Sequence, residues 1–322
     1  MLQLQEVGQP YMKIGFFNCS SDSILLCDNG DVTNLSHHEK ICVKPEDVLI
    51  VVGHAHRKPW AEIALNGQCK TWVPHLLSNG FNVAYIFSKR LPQIAPRIDF
   101  IDMRLRYESG PYVASLRNLA NTFALKAFQN MIPKTKSSFR LFGINDLMFI
   151  ESLIPDLYMS SRWKRLSILK FFINRTNFKY LVFTTTSSYI NGNQLLYELQ
   201  SFPSNCVGGR VMQSGLRDSF ISGSFSVYTR NVAEALVSAR HEMNVSLLDD
   251  VSFGHGQRKI GIPNYEMSSI DISNENELKQ LEQRLLDKMI HFRLKSITQG
   301  ARQDAYLMKE LHKRLNHNLN QV

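Results

Sequence analysis

Apolar segments of strand length alternate with segments of helical periodicity along this 322-residue chain, and this alternation is the strongest constraint on its fold. The strand candidates are residues 47–53, 81–87, 140–143 and 180–183, and the helical segments are 60–77 and 115–130. Because strands that alternate with helices usually pair in parallel, the pattern predicts an α/β domain with a largely parallel sheet. Residues 207–262 continue the mixture, with a strand at 222–228 and a helix at 230–242.

The two ends of the chain differ from this central region. Residues 1–45 contain short apolar runs on either side of Asn29-Gly30, a dipeptide typical of hairpin turns, so we expect a β-rich N-terminal extension. Residues 46–270 form the α/β domain, and residues 271–322 form a basic tail of one or two amphipathic helices. The cations of the tail are Lys279, Arg284, Lys288, Arg293, Lys295, Arg302, Lys309, Lys313 and Arg314.

The net charge of +9 fits an anionic partner, which could be a nucleic acid, an anionic membrane surface or a phosphorylated small molecule, and it equally fits a solvated basic surface with no such partner. Two interpretations of the tail stay open. It can pack on the domain with its basic face in solvent, or it can lie on an anionic membrane.

The cysteines and the N-terminus indicate the compartment. The five cysteines are scattered and no pair has CxxC spacing, which is typical of reduced thiols rather than of disulfides or a zinc site. The first residues lack a basic segment followed by an apolar core, and no apolar stretch approaches the length of a membrane span. We therefore expect a cytoplasmic protein.

A run of hydroxyl-bearing residues follows the strand candidate at 180–183. Its members are Thr184, Thr185, Thr186, Ser187 and Ser188. Ligands of open α/β sheets bind at the carboxyl ends of strands, so this run is expected to meet a ligand. It carries no charge, no partner for a nucleophile and no carboxylate that would attract a metal ion.

Two adjacent carboxylates, Asp249 and Asp250, precede Gly254, where we expect a turn. Repulsion between neighbouring like charges raises the pKa of one member, which suits a general base. The alternative is a solvated helix cap or turn, since aspartates often occupy such positions.

Two glycine-containing segments are further candidates. Gly223 lies in a strand pattern, which indicates close approach by backbone, by a packed neighbour or by a ligand. Gly53 opens the segment GHAHRK at residues 53–58, in which Arg57 could meet a phosphate and the histidines a metal ion. Walker, GxGxxG, GxSxG and HExxH motifs are absent, which removes the commonest phosphate-loop, dinucleotide, hydrolase and zinc-protease interpretations.

Several segments between residues 46 and 265 follow the order of motifs in one enzyme family. They are the apolar strand 48–52, Lys70-Thr71-Trp72, Arg117-Asn118-Leu119-Ala120, Tyr189-Ile190-Asn191, Ser222-Gly223 with Thr229-Arg230, Asp249-Asp250-Val251-Ser252-Phe253-Gly254, and Arg258-Lys259-Ile260-Gly261-Ile262. The set resembles the β-1,3-galactosyltransferase and Fringe-like glycosyltransferases. The resemblance implies a GT-A fold, in which a Rossmann-like nucleotide-sugar-binding sheet with flanking helices joins an acceptor-binding half.

The chain departs from this family at its acidic DxD motif, whose place is taken by Thr185, Thr186 and Ser187. In the family those carboxylates hold a divalent cation, usually manganese, against the donor diphosphate, and neutral hydroxyls bind such cations weakly. The enzyme could be independent of metal, with cations such as Arg210 or Arg217 meeting the phosphates; it could hold manganese elsewhere; or it could have lost catalysis. We favour metal independence because the acidic pair is retained, and the cofactor stays undefined.

The resemblance also implies roles for single residues in an inverting transfer of a sugar. Asp250 matches the family's shared aspartate and is the expected general base, with Asp249 as the alternative or as the neighbour that tunes its pKa. The expected donor-binding residues are Thr185, Thr186, Ser187, Ser188, Gly53, Arg57 and Arg210, and the expected acceptor-binding residues are Ser222 and Gly223.

The expected partners are a nucleotide-sugar, in the first place a UDP-sugar, and a glycan or lipid-linked saccharide. A bacterial-type enzyme of surface polysaccharide synthesis would meet such an acceptor at the inner face of the membrane. A non-catalytic nucleotide- or carbohydrate-binding protein on the same fold is the alternative. A nucleic-acid partner is not expected, because basic and aromatic residues do not interleave and no recognised motif is present.

Overall fold

The computed structural model describes residues 42–55, 58–88, 140–144, 147–152, 154, 161–213, 219–243, 247, 249–298 and 301–316. Several predictions from the sequence lie outside these residues. They are the hairpin at Asn29-Gly30, the helix at 115–130, the segment 117–120, and the cations Arg57 and Arg217.

The described strands form one large sheet and two small ones. They are β1 (Val48–Gly53), β2 (Asn82–Phe87), β3 (Arg140–Ile144), β4 (Leu147–Glu151), β5 (Tyr180–Thr185), β6 (Ser188–Ile190), β7 (Val207–Gln213), β8 (Ser219–Thr229), β9 (Asn264–Glu266), β10 (Ser269–Asp271), β11 (His291–Arg293), β12 (Ile297–Thr298) and β13 (Ala301–Arg302). The main sheet has the order β3-β4-β2-β1-β5-β8-β7-β9, and the strands β10-β11-β6 and β12-β13 form the small sheets.

The main sheet is mixed. Strands β4, β2, β1 and β5 run parallel to one another, whereas β8 runs antiparallel to both of its neighbours, β5 and β7. The sequence predicted a largely parallel sheet. The central parallel strands β2, β1 and β5 carry near-continuous apolar runs, as expected for strands covered on both faces, and β7 and β9 are parallel to each other.

Helices cover both faces of the main sheet. They are α1 (Trp60–Asn66), α2 (Trp72–Ser78), α3 (Ser161–Arg175), α4 (Gly192–Leu199), α5 (Arg230–Ser238), α6 (Asp249–Lys259), α7 (Glu275–Gln280), α8 (Gln283–Lys288) and α9 (Asp304–Asn316). Helices α2, α4 and α9 pack on the face that carries Val48, Ile50 and Val52 of β1, and α3, α5 and α6 pack on the face of Leu49 and Val51. The α/β class is therefore confirmed, and the architecture is compatible with a Rossmann-like fold.

Two helical predictions are wrong in detail. The segment 60–77 is broken after α1 at Gly67, where a Cβ would lie 2.6 Å from the Ile63 carbonyl oxygen and 2.7 Å from Met308 Sδ. The turn expected at Gly254 is instead the interior of α6, and a Cβ there would lie 2.4 Å from Phe220 Cβ. Both glycines are therefore required by tight packing against distant parts of the chain.

The basic segment after residue 270 is built into the domain core. Leu278, Leu286, Phe292 and Leu307 are buried in the same apolar cluster as α2 and α4. The sequence predicted only helices here, but the described residues also include the short strands β11, β12 and β13. Among the described residues, no helix combines the length and apolar character needed to cross a membrane.

Candidate functional site

The carboxyl ends of β1 and β5 lie side by side in the middle of the main sheet. Gly53, the last residue of β1, is in register with Thr185, the last residue of β5. The chain passes from β1 to β2 on one side and later returns to β5 on the other side of β1. Such a reversal of strand order leaves a crevice at the carboxyl edge of the sheet, where ligands of α/β proteins bind.

The hydroxyl run begins at this edge, and most of it is buried. Thr184 Oγ1 and Ser188 Oγ both donate to the Ser224 carbonyl oxygen, over 3.0 Å and 3.3 Å. Thr185 Oγ1 lies 3.2 Å from Ser188 Oγ. The buried members of the run are Thr184, Thr186, Ser187 and Ser188. Thr185 alone in the run is partly exposed, and Ser188 fixes the β5–β6 turn from within.

Gln68, a residue that sequence analysis missed, also holds the β5–β6 turn. Its side chain is fully buried, and its Nε2 donates to the carbonyl oxygens of Thr185 (3.1 Å) and Ser188 (3.2 Å). Its Oε1 accepts from the Tyr85 hydroxyl at 3.0 Å. Buried amides with every group bonded make a rigid link, so the turn is tied to the segment between α1 and α2.

His291 of β11 supports the same turn from the other end of the chain. One ring nitrogen lies 2.9 Å from Ser188 Oγ and the other 2.7 Å from Ser269 Oγ. Burial, with added repulsion from Arg293 and Arg210, lowers the pKa of His291 to about 3. The ring is therefore neutral near pH 7 and donates through one nitrogen while it accepts through the other.

Asp249 and Asp250 lie in the first turn of α6, and Asp250 contacts β8. Its Oδ2 accepts from the Gly223 N–H (3.3 Å) and its Oδ1 from the Val251 N–H (3.0 Å). Burial raises the pKa of Asp250 and the charge of Asp249 raises it further, while Arg165 and the two N–H groups oppose the rise. The sequence predicted that repulsion within the pair raises the pKa of one member, and in the structure burial raises the pKa of Asp250 more than the repulsion does.

Arg165 of α3 faces the acidic pair from inside the protein, and sequence analysis missed it too. Its Nη2 lies 3.6 Å from Asp249 Oδ2 and donates to the Gly223 carbonyl oxygen at 3.3 Å. Its guanidinium lies between the rings of Phe183 (5.0 Å) and Phe253 (4.8 Å), a geometry that suits cation–π attraction. The signal that could have identified Arg165 in the sequence is a charged residue within the apolar pattern of a helix.

Gly223 lies where β8, Arg165 and Asp250 meet. A Cβ at this position would be 3.0 Å from Arg165 Nη2 and 3.5 Å from Asp250 Oδ2. The space beside the glycine is thus occupied by these two side chains, whereas the resemblance implied that it admits an acceptor. Ser222 is buried, with its Oγ 2.9 Å from Ser224 Oγ.

The other expected donor-binding residues have structural partners. A Cβ on Gly53 would lie 3.0 Å from Phe183 Cζ, so packing alone accounts for this glycine. Arg210 pairs with Asp271 at 2.6 Å and keeps about a third of its side chain exposed. In the part of the chain that the structure describes, no group of three or more His, Cys, Asp or Glu residues could hold a metal ion.

The segment after residue 290 brings further cations to the β5–β6 turn. Strand β11 pairs with β6 so that Arg293 is opposite Ser188, and Lys295 follows two residues later. Arg302 Nη2 donates to Ser187 Oγ at 2.8 Å. Sequence analysis assigned all three cations to a tail with a solvated or membrane-facing basic side.

Comparison of the chain with protein-family models and with curated proteins finds no match. The chemistry of the site is therefore inferred from its own residues. A half-buried carboxylate of α6 with a raised pKa and the cation-rich β5–β6 turn both contact β8, at Gly223 and Ser224. Together they can accept a proton and stabilise an anion.

Proposed function

We propose that this protein is an inverting glycosyltransferase that moves a sugar from a nucleotide-sugar, in the first place a UDP-sugar, to a glycan hydroxyl. The observation that carries the proposal is Asp250. It matches the family's shared aspartate in the resemblance, and it is a half-buried carboxylate with a raised pKa that accepts a hydrogen bond from Gly223 of the main sheet. The mixed sheet with helices on both faces supports the GT-A architecture in its coarser form.

In the proposed reaction Asp250 takes the proton of an acceptor hydroxyl as that oxygen attacks the anomeric carbon of the donor. The bond between the anomeric carbon and the diphosphate oxygen breaks on the opposite face, so the configuration inverts and a nucleoside diphosphate leaves. A general base is most effective when its pKa approaches the operating pH, and burial shifts the pKa of Asp250 in that direction.

A divalent cation of the kind used by the family does not fit the residues at the β5–β6 turn. Thr185, Thr186 and Ser187 offer neutral hydroxyls, and Ser187 Oγ already accepts from Arg302. Hard divalent cations prefer carboxylate oxygens, of which the turn has none. The charge that develops on the leaving diphosphate then has to be met by fixed donors of the protein.

The test combines a donor screen with Asp250→Asn. UDP-, GDP- and CMP-sugars are titrated calorimetrically into the protein, once with EDTA and once with manganese, and transfer from the donor that binds is followed on a glycan acceptor. We expect one donor to bind in EDTA. Asp250→Asn should keep donor binding and lose transfer by roughly a hundredfold or more, the size of a general-base contribution.

Glu234→Gln is the matched control, because it removes an exposed carboxylate of α5 and should leave transfer unchanged. Donor binding without transfer in the wild type would favour the alternative, a non-catalytic nucleotide-binding protein. Transfer at the wild-type rate by Asp250→Asn would contradict the assigned base.

A further inference from the structure

Cations from two separate parts of the chain lie around the β5–β6 turn. Arg293 is in register with Ser188 of β6 on one side and with Asp271 of β10 on the other. Arg210 of β7 pairs with the same Asp271, so β7 is linked to this small sheet. The Leu294 N–H donates to the Ser187 carbonyl oxygen at 2.7 Å, which fixes the backbone between Arg293 and Lys295.

We propose that Arg293, Lys295 and Arg302 form a metal-independent binding site for the diphosphate of a nucleotide. This inference rests on the proposed function and names the group that would neutralise the leaving diphosphate. The hydroxyl run is mostly buried and Asp271 neutralises the charge of Arg210, while Arg57 and Arg217 lie outside the described residues.

Carboxylates neutralise two of the cations around the turn. Arg302 pairs with Asp304, whose carboxylate is fully buried, and Arg210 pairs with Asp271. These pairs hold both arginines in place, because each guanidinium has a fixed anionic partner. The positive charge of the site therefore comes from the cations that remain.

Arg293 and Lys295 have no ion-pair partner within the described ranges, so two positive charges stay uncompensated. Lys295 is largely exposed, yet partial burial and the charges of Arg293 and Arg302 lower its pKa, with Asp304 and Asp271 opposing the shift. A lysine whose pKa is lowered by neighbouring cations lies in a positive potential. A bound anion would relieve that repulsion.

Arg302 is held in a fixed position before any ligand arrives. Its guanidinium lies 4.8 Å from the centre of the Trp60 ring, pairs with Asp304 and donates to Ser187. Asp304 in turn accepts from the Ser296 N–H at 3.3 Å. Donors that are already oriented need no rearrangement when charge develops on a leaving group, which is the requirement for a diphosphate in a transfer reaction.

The ligand class follows from the type and position of these side chains. Guanidinium groups bind phosphate oxygens in a forked geometry, and an ammonium group binds them as a point charge. Arg293 is opposite Ser188 and Arg302 bonds Ser187, both in the segment that follows Thr185 at the carboxyl end of β5. A phosphate ester at the mouth of an α/β sheet meets both conditions.

The test measures phosphate binding apart from sugar transfer. Inorganic pyrophosphate and UDP are each titrated into the whole protein in EDTA, at low and at physiological salt. The test variant is Arg293→Gln with Lys295→Gln. The control is Lys288→Gln with Lys309→Gln, which removes the same charge from exposed positions of α8 and α9.

We expect the test variant to lose roughly tenfold or more in affinity for both ligands per removed cation, the scale of charge-assisted hydrogen bonds. The control should bind both ligands like the wild type. UDP should bind more tightly than pyrophosphate, because the nucleoside adds contacts, and the reverse order would overturn the assignment to a nucleotide.

Equal losses in test and control variants would overturn the site, since net charge alone would then explain binding. Unchanged pyrophosphate affinity in a test variant with wild-type thermal unfolding would overturn it as well. A loss confined to the test variant supports the site even if no sugar is ever transferred, in which case glycosyl transfer alone fails. Transfer at the full wild-type rate by the test variant would overturn the site and leave the proposed function standing.

Discussion

The two parts of the candidate site have opposite electrostatic character. At the start of α6 the adjacent carboxylates Asp249 and Asp250 have the buried Arg165 as a cationic neighbour. At the β5–β6 turn the cations outnumber the carboxylates. The two parts meet on β8, where Gly223 bonds Asp250 and the next residue, Ser224, accepts hydrogen bonds from the hydroxyl run. A proton acceptor requires a basic group such as the carboxylates at the start of α6. An anionic leaving group requires cations such as those at the β5–β6 turn.

Among the variants that test this electrostatic contrast, the largest effect is expected for a change at Arg165. Arg165→Gln removes a buried cation that lies 3.6 Å from Asp249 Oδ2 and that opposes the rise in the pKa of Asp250. We expect the free energy of unfolding to fall by about 3 kcal/mol or more, as for other buried pairs that lose one partner. Urea denaturation at neutral pH measures it.

Arg175→Gln is the control for Arg165, because it removes an exposed arginine at the end of the same helix. It should change the stability little. If both variants unfold at the same denaturant concentration as the wild type, the carboxylates of α6 do not need a buried counter-charge, and the electrostatic contrast between the two parts of the site is lost.

A smaller effect, dependent on pH, is expected at His291 beneath the cation-rich turn. Its pKa is lowered from 6.5 to about 3 by burial, so the unfolded chain binds a proton below pH 6.5 while the folded protein does not. Stability from this group is therefore present above pH 6.5 and is lost as the pH falls towards 3, by about 1.4 kcal/mol per pH unit.

The measurement for His291 compares the stability of the wild type and His291→Gln between pH 7 and pH 5. We expect the stability curves to converge by about 2 kcal/mol over that range, since only the wild type carries the group that titrates on unfolding. Parallel curves would show that the ring has the same pKa in the folded and unfolded chain and takes up a proton in the folded protein below about pH 6.5, which would add a charge to the cationic part of the site.

Asp249→Asn tests the acidic part of the site through the pH dependence of sugar transfer. The charge of Asp249 is the second cause of the raised pKa of Asp250, after burial. Its removal should lower the pKa of Asp250, so the acid limb of kcat/KM moves to lower pH by about one unit or less. A loss of transfer as severe as that of Asp250→Asn would instead identify Asp249 as the base.

The sequence was sufficient for the elements whose signal is local. The strands at 48–53, 82–87 and 180–185 are apolar runs bounded by glycine or polar residues, and each lies within a few residues of its predicted range. The break at Gly67 could not be predicted, because it depends on Met308 of α9. Strand β11 has three residues, too few for a periodic pattern, and it is defined by its pairing with β6 and β10.

The residues of the candidate site also divide into those with a local signal in the sequence and those that depend on distant contacts. Asp250 and the hydroxyl run were found because adjacent like charges and a run of one residue type are visible in the sequence. Gln68, Arg165 and His291 were missed because a single polar residue in an apolar segment gains its role from partners far along the chain. Burial of the run could not be predicted either, since it depends on residues after 290.

The smallest effect is expected at the exposed cations of the C-terminal segment. Lys279 and Lys313 pair on the surface with Glu275 (2.6 Å) and Glu310 (2.7 Å), and pairs of this kind contribute little. Lys279→Gln with Lys313→Gln should leave the free energy of unfolding and pyrophosphate binding almost unchanged.

The same variant decides between the two interpretations of the basic tail. Leu278, Leu286 and Leu307 of this segment are buried in the domain core, so they cannot enter a membrane while the domain is folded, whereas Leu285 is exposed. We therefore expect neither the wild type nor the variant to be retained on anionic vesicles at low salt. Retention of the wild type that weakens in the variant would show that charge alone holds the segment on a membrane, and the cations near the β5–β6 turn would then share their anion-binding role with the rest of the tail.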